Sequence, residues 1–456
     1  MVFTKTLITQ NKFIEKLPVL LILSGLFVYT KFDLVGFVIF VLAITFLGTI
    51  IYDVNFLFPS YLFLVGITAQ LPSGYHHIFS YGITGLLLLI WVLQKIYYRE
   101  NLIIPEKSLF FLIIFYIGLN FISALFSEYY LNGIFITMRI TVFFMVVFVF
   151  YDWLQTKKRI STVIYTIITI GVVSSLFVIV DFFKSGVIFD KMELVRYGGI
   201  FTGVNALGLV LAIGIPFVLH YMIIYRQHKK GMKYLLFFLL MTFTLFLTFS
   251  RSAWLAFGIC ALIITFYHKE TRPIIITTIT VFIGIILFSE NIREFAVYLL
   301  RIESSLSGRE FLWKGAIEMI KDYPVIGVGP GAIENYIIQY SGVGIHSWWA
   351  EQLFFARNNA HNFYLTMGAE LGMLGILVAV SIVGLFFIHF FRTKLIVFEY
   401  REKSLLITCG AIVMGLFGRS FFEGNALLTN GWLAFDIYFW LIYAIILRIK
   451  QFSLTM

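Results

Sequence analysis

The chain is poor in cysteine, proline and charge. Of its 456 residues two are cysteine, eight are proline and 13% are charged. Cys260 and Cys409 both fall inside apolar runs. They have no zinc-ligand spacing and imply no disulfide framework, so they read as small buried residues. No HExxH, CxxC, paired-aspartate or Walker sequence occurs, which removes the familiar metal and nucleotide motifs from consideration. The opening "MVFTKTLITQNKFIEK" is basic and amphipathic without a cleavable signal pattern, so the first apolar run is expected to stay as a helix.

What the chain has instead is apolar surface: 60% of residues are hydrophobic and 19% aromatic, with a mean hydropathy of +0.94. Apolar runs of about 20 residues recur along nearly its whole length, the mark of a polytopic helical membrane protein. Runs such as "ITGLLLLIWVL" do not alternate as barrel strands must. The runs predict an all-α integral membrane protein of about twelve to fourteen transmembrane helices. The expected spans are 17–31, 34–51, 55–70, 78–97, 108–126, 134–153, 160–183, 203–224, 234–250, 252–268, 273–289, 363–390, 404–423 and 430–448. The organisation expected is helices over 1–289, a hydrophilic segment over 290–362, and further helices over 363–456.

The net charge of +10 orients these spans rather than marking a nucleic-acid surface. Most of the 34 Lys and Arg residues fall around Lys5–Lys16, Lys95–Lys107, Lys157–Arg159, Arg226–Lys233, Lys269–Arg272, Arg392–Lys403 and Arg448–Lys450. The alternate short loops 71–77, 127–133 and 424–429 contain neither residue. Because cytoplasmic loops carry the basic excess, both termini are expected inside and the long segment 290–362 outside. A loop of that length in a compact membrane protein is usually functional.

Within it, "SGREFLWKGAIEMIKDYP" reads as a helix. Leu312, Trp313, Ala316, Ile317, Met319 and Ile320 form an apolar face, Glu310, Lys314, Glu318 and Lys321 a polar one, and Pro324 ends it. Arg309 falls on the packed side, away from the other charges, and an inward charge requires an anionic partner. Three further stretches carry polar groups at the same expected boundary. "VRYGGIFTGVNALG" brings Arg196 and Asn205. "TFSRSAW" brings Ser250 and Arg251, the latter either snorkelling to headgroups or gripping phosphate with its planar fork. "NNAHNFYL" brings His361 and Asn362; the amides can cap a helix, and a neutral His361 facing a cavity can accept a hydroxyl proton. "PVIGVGPGAIENY" lacks a preceding strand, so its glycines read first as a turn between loop helices, though backbone amides there could also approach phosphate. Arg139, Glu370, Arg419, Glu423 and Asp436 lie in or near apolar runs and are expected to face the bundle interior. Arg419 and Glu423, four residues apart, are expected to pair along one helix.

In their order, "RYGGIFTGVNALG", "TFSRSAW", "SGREFLWKGAIEMIKDYPVIGVGPG" and "NNAHNFYLTMGAELGMLG" resemble the O-antigen ligase and O-antigen polymerase superfamily of bacterial membrane glycosyltransferases. The resemblance spans roughly residues 195–380. It implies a GT-C-like, metal-independent, inverting transferase of the bacterial cytoplasmic membrane, without a cofactor. Its donor would be a glycan on undecaprenyl diphosphate and its acceptor a glycan or lipid, with membrane lipid and other polysaccharide-assembly proteins as partners and no nucleic acid. By the same resemblance Arg251 and Arg309 hold the diphosphate and His361 serves the acceptor hydroxyl as catalytic residues, while Arg196, Asn205, Ser250 and Asn362 bind substrate. The wealth of Phe, Ile, Lys and Tyr suggests an AT-rich, Gram-positive source without lipopolysaccharide, which favours a polymerase of lipid-linked repeat units. A ligase onto lipid A, protein or wall is the alternative within the class. A polysaccharide flippase is the alternative outside it, against which the His/Arg set in a long outer loop argues.

Overall fold

A computed structural model describes residues 57–68, 73–185, 189–190, 193–199, 203–269, 308–343, 359–425, 427–428 and 430–454, with isolated residues between 272 and 284. The expected spans 17–31 and 34–51 lie outside the described residues, and 273–289 is described only at those isolated positions. The remaining spans correspond to helices: α1 Leu57–Thr68, α2 Ser73–Tyr98, α3 Lys107–Leu125, α4 Tyr130–Trp153, α5 Lys157–Ser185, α6 Val204–Ile224, α7 Lys230–Leu247 and α8 Arg251–Tyr267. After the loop helices α9 Arg309–Asp322 and α10 Ile333–Ser341 come α11 Phe363–Ile396, α12 Tyr400–Ser420 and α13 Leu433–Leu454. Among the described residues strand content is confined to one two-residue antiparallel pairing, Phe189–Asp190 with Glu193–Leu194. Among the described residues seven helices are long and apolar enough to cross a membrane, and three shorter apolar helices accompany them. The protein is therefore an all-α, polytopic membrane protein.

The chain divides into two compact units, 1–89 and 90–456. In the first, Tyr61 and Thr84 share a buried hydrogen bond of 3.0 Å. All the candidate residues belong to the second.

Within that second unit α6 and α12 are central, with 83% and 78% of their apolar windows buried, whereas α3 and α11 show 39% and face outward. In lipid, helix association depends on close packing rather than on a hydrophobic drive, so small residues mark the contacts. At Gly415 of α12 a β-carbon would stand 2.5 Å from the Ala256 carbonyl oxygen of α8. Nearby, Cys260 Sγ donates to the Ala411 carbonyl at 3.2 Å. Both cysteines are free and buried, as expected. This close approach sets the start of α8 beside the end of α12.

Polar contacts sort the helix ends into two groups. Lys157 pairs with Glu399 and Glu402, Lys450 with Glu106, and Arg448 Nε donates to the Tyr151 carbonyl. These contacts tie together ends of α3, α4, α5, α12 and α13. The opposite ends gather around Arg309 and Glu423, with Asn205 at the start of α6 and Ser252 at the start of α8.

The loop helices follow from their periodicity, with one correction. Leu312, Ala316 and Met319 of α9 are buried against Val328, Ala332, Ile333 and Ile337, and with Ala360 and Ala369. Ile317, expected on that face, is 43% exposed. The glycine-rich segment after α9 is a structural latch. Helix α11 breaks at Gly372 (φ 65°, ψ −157°), which frees backbone groups that the segment then takes up. Val328 N–H donates to Ala369 O at 3.0 Å, Gly329 N–H to Glu370 O at 3.0 Å, and Met373 N–H to Pro324 O at 2.8 Å. Ser123 of α3 and Ser127 just beyond its end close the latch by donating to Ile326 O and Val328 O. Beyond the break, residues 373–396 rise about 36 Å, enough to cross a bilayer.

Gly372 occupies a backbone region that is essentially glycine-only, and a β-carbon there would lie 2.4 Å from the Val325 carbonyl carbon. Such conformations cost other residues roughly 1–3 kcal/mol before any clash is counted. Gly372→Ala is therefore expected to lower the melting temperature of the purified protein. Gly384→Ala on the same helix, where a β-carbon meets nothing within 4 Å, is expected to leave it unchanged. Equal melting temperatures for the two variants would contradict the latch.

Candidate active site

The site is organised on Glu423, and that is the main correction to the sequence reading. Arg419 and Glu423 do not pair along one helix, because α12 ends at Ser420 and Glu423 lies in the turn that follows. Arg419 instead donates from Nη1 to the Asn425 carbonyl and side-chain oxygen at 3.0 and 2.7 Å. Glu423 turns inward, its residue only 3% exposed. Its Oε1 accepts from Arg309 Nη2 at 2.9 Å, Asn205 Nδ2 at 3.2 Å and Ser252 Oγ at 3.3 Å. Its Oε2 faces His361 Nδ1 at 3.4 Å.

Burial alone would raise the Glu423 pKa, since a charged carboxylate loses its water. The hydrogen bond from His361 and the charges of Arg419 and Arg309 outweigh burial and hold it at about 2. An ionised carboxylate only accepts hydrogen bonds. Nδ1 of His361 therefore carries the proton in this contact, and in the neutral ring Nε2 carries the free lone pair. The His361 side chain is 23% exposed against 4% for Glu423, so the imidazole is reachable while its orienting carboxylate is not.

Each side chain is placed by a local device. In "NNAHNFYL" the amides do cap the helix: Asn362 Oδ1 accepts from Leu365 N–H at 3.1 Å as N-cap of α11. Its Nδ2 donates to the Phe421 carbonyl at 3.1 Å, binding this segment to the turn that carries Glu423. Asn359 Oδ1 accepts the His361 N–H at 2.7 Å and helps hold His361 at φ 47°, a conformation uncommon for a non-glycine residue. The capping and functional readings of the octet are thus both satisfied, by different residues.

Arg309 is the first residue of α9, and Gly308 before it has φ 77°. Its Nη1 also donates to the Phe422 carbonyl at 2.6 Å, so the inward charge found its anionic partner on the protein. Asn205, at the start of α6, links two groups: its Oδ1 accepts from Ser250 Oγ at 2.9 Å and Arg196 Nη2 at 3.2 Å. Arg196 Nε donates to Thr248 O at 3.1 Å, a cation at the carbonyl end of α7. Arg251 occupies the first turn of α8 between Ser250 and Ser252, at the same helix end.

All seven residues singled out from the sequence therefore lie on the segments that meet here. Glu423 as the hub, Ser252 and Asn359 were missed. Glu423 stands in "RSFFEGN" beside a loop without Lys or Arg, and its one neighbouring cation in sequence, Arg419, is bound to Asn425, so its direct partners come from elsewhere in the fold. The glycines of "PVIGVGPGAIENY" serve the latch. Four further expectations hold for the isolated charges: Glu370, Arg419, Glu423 and Asp436 are all buried. Among the described residues no three His, Cys, Asp or Glu side chains are grouped to hold a metal ion.

The fold and this set of guanidinium, imidazole and carboxylate groups define a polytopic membrane protein with a polar, partly open site at one end of its helices. Residues 236–380 match the family model described as O-antigen ligase; this similarity, over about a third of the chain, supports the resemblance to the O-antigen ligase and polymerase superfamily and a glycosyltransferase-type membrane enzyme. The match takes in Ser250, Arg251, Arg309, His361 and Asn362; Arg196, Asn205 and Glu423 lie outside it. No curated protein matches the chain.

The low pKa of Glu423 makes a signed prediction. A depressed carboxylate pKa contributes stability that is present above its ordinary 4.5 and lost as pH falls toward about 2. A shift of that size is worth on the order of 3 kcal/mol. Glu423→Gln is expected to melt below the wild type at neutral pH, with the gap shrinking as pH falls through this window. A gap that stays constant from neutral pH to the acid limit would show that the charge of Glu423 contributes nothing to folding.

Proposed function

We propose that the protein is a polysaccharide polymerase of the outer face of the bacterial cytoplasmic membrane, joining glycan repeat units carried on undecaprenyl diphosphate. The observation that carries this reading is the sharing of one buried carboxylate by Arg309 at 2.9 Å and His361 at 3.4 Å. That contact holds a phosphate-binding fork and a hydroxyl-activating imidazole side by side.

In this reading Arg309 and Arg251 bind the donor's diphosphate, and their charge stabilises the negative charge growing on it as the glycosidic C–O bond breaks. His361 Nε2 takes the proton from the acceptor hydroxyl while the hydroxyl oxygen attacks the anomeric carbon from the opposite face, inverting it. Glu423 on Nδ1 fixes the ring and stabilises the imidazolium that forms, as a carboxylate behind a catalytic histidine does. Asn205, Ser250, Arg196 and Asn362 keep the helix ends and the substrate in register. With guanidinium groups on the leaving diphosphate and the imidazole on the acceptor hydroxyl, the transfer in this reading is metal-independent.

The test replaces His361 with alanine and follows lipid-linked glycans in cells. A fall in transfer of about 10²–10⁴-fold is expected for loss of a general base, leaving single units at the outer leaflet and no longer chains. Units retained inside would instead mean export. Long lipid-linked chains that never reach a final acceptor would mean a ligase.

A further inference from the structure

Arg419, at the end of α12, is 0% exposed and is only half used. Its Nη1 serves Asn425, while Nε and Nη2 are buried and have no hydrogen-bond partner among the described residues. Those two nitrogens form one edge of the guanidinium plane, two donors pointing the same way that can grip a carboxylate oxygen. We propose that Arg419 is a positioning residue: it receives Glu423 Oε1 on its Nε–Nη2 edge when the substrate's diphosphate takes Arg309, while Oε2 stays on His361 Nδ1. Glu423 is then a movable stand-in for the substrate's own negative charge.

Three observations support the handover. Arg309 is occupied, with Nη2 on Glu423 and Nη1 on the Phe422 carbonyl. A diphosphate arriving at Arg309 would meet the Glu423 carboxylate at contact distance, and like charges in so buried a place repel strongly. The carboxylate must leave, and a buried charge can leave only for another cation. The second observation is proximity along the chain. Phe422 N–H donates to Arg419 O at 2.9 Å and Asn425 is already bound to Arg419. The turn bearing Glu423 is therefore held to Arg419 on both sides of Glu423, by its backbone before and by its guanidinium after. The third is the charge around Arg419: it is attracted by Glu423 and Asp436 and repelled by Arg309. Neutralising Arg309 with a diphosphate removes the repulsion and strengthens the pull on Glu423. By keeping Glu423 charged and within reach of His361, Arg419 couples donor binding to the orientation of the imidazole.

This inference rests on Arg309 binding the donor's diphosphate, and the test separates the two. Inorganic diphosphate is titrated into the full-length protein in nanodiscs, and KM and kcat are measured with lipid-linked glycan. If the wild type fails to bind diphosphate, or Arg309→Ala binds it equally well, the reading of Arg309 falls and the handover with it. If Arg309 passes, Arg419→Met is expected to weaken diphosphate binding about tenfold and to raise donor KM with a much smaller change in kcat. Adding Glu423→Gln to Arg419→Met is expected to bring binding back to that of Glu423→Gln alone, because no carboxylate then competes for Arg309. Effects that simply add in the double variant would overturn the proposal. Should Arg419→Met fail to fold, the structure of the wild type with diphosphate bound decides. Glu423 within about 3.2 Å of Arg419 Nε and Nη2 is expected, and Glu423 still on Arg309 would overturn it.

Discussion

A carboxylate withdrawn from water costs several kcal/mol unless the protein replaces its hydration in full. Glu423 is withdrawn almost completely, and its two oxygens are matched by donors from separate parts of the chain: Asn205, Ser252, Arg309 and His361. None of the four is near Glu423 in sequence. The carboxylate thus converts a coincidence of helix ends into a defined arrangement, because shifting any one donor leaves charge unmatched at low dielectric. The same property that orders the site also orders its chemistry. An acceptor-only group on Nδ1 selects the tautomer of His361 and turns Nε2 outward as the base.

Two packing features deliver the donors to this point. Small residues on α12 admit the α8 backbone, which sets Ser252 and Arg251 beside the turn after Ser420. The break at Gly372 opens the start of α11 to the 324–329 segment, which secures α9 and with it Arg309. One contact is helix against helix in the apolar layer and the other is backbone pairing at its edge. Neither touches substrate in the proposed reaction, yet both fix the distance between guanidinium and imidazole. Loss of the latch would therefore disturb chemistry as well as stability, through α9.

The apolar periodicity made most of the helices legible in advance, since length and hydropathy alone separate a spanning helix from a loop. The bias of Lys and Arg likewise sorted the helix ends into the two groups seen here. Polar residues at one expected boundary were equally visible, and the residues chosen from "TFSRSAW" and "NNAHNFYL" do lie on segments that meet. What the sequence could not reveal is partnership. Arg419 and Glu423 have ideal helical spacing, but the helix stops between them, and element ends are where local patterns are weakest. Ile317 departs from the pattern because the neighbours of α9 cover only the stripe of Leu312, Ala316 and Met319, narrower than its full apolar face. The break at Gly372 falls inside a continuous hydrophobic run, and only the facing backbone of 324–329 explains it.

Backbone strain completes the arrangement. Phe249 and His361 hold φ values of 49° and 47°, although neither is glycine, and each sits where a chain enters the site. Such conformations persist only when their surroundings over-determine them. For Phe249 the restraints are its N–H on Phe246 O and the Arg196 guanidinium on its carbonyl. For His361 they are Asn359 on its N–H and Glu423 on its ring. The strained residue in each case directly precedes a helix cap, Ser250 or Asn362, so the chain turns sharply as its helix begins; at His361 the turn puts the ring against Glu423. A relaxed backbone would lengthen the turn and let the imidazole swing. Strain at these two points is therefore the structural cost of holding a histidine and a serine-rich helix start against one buried charge.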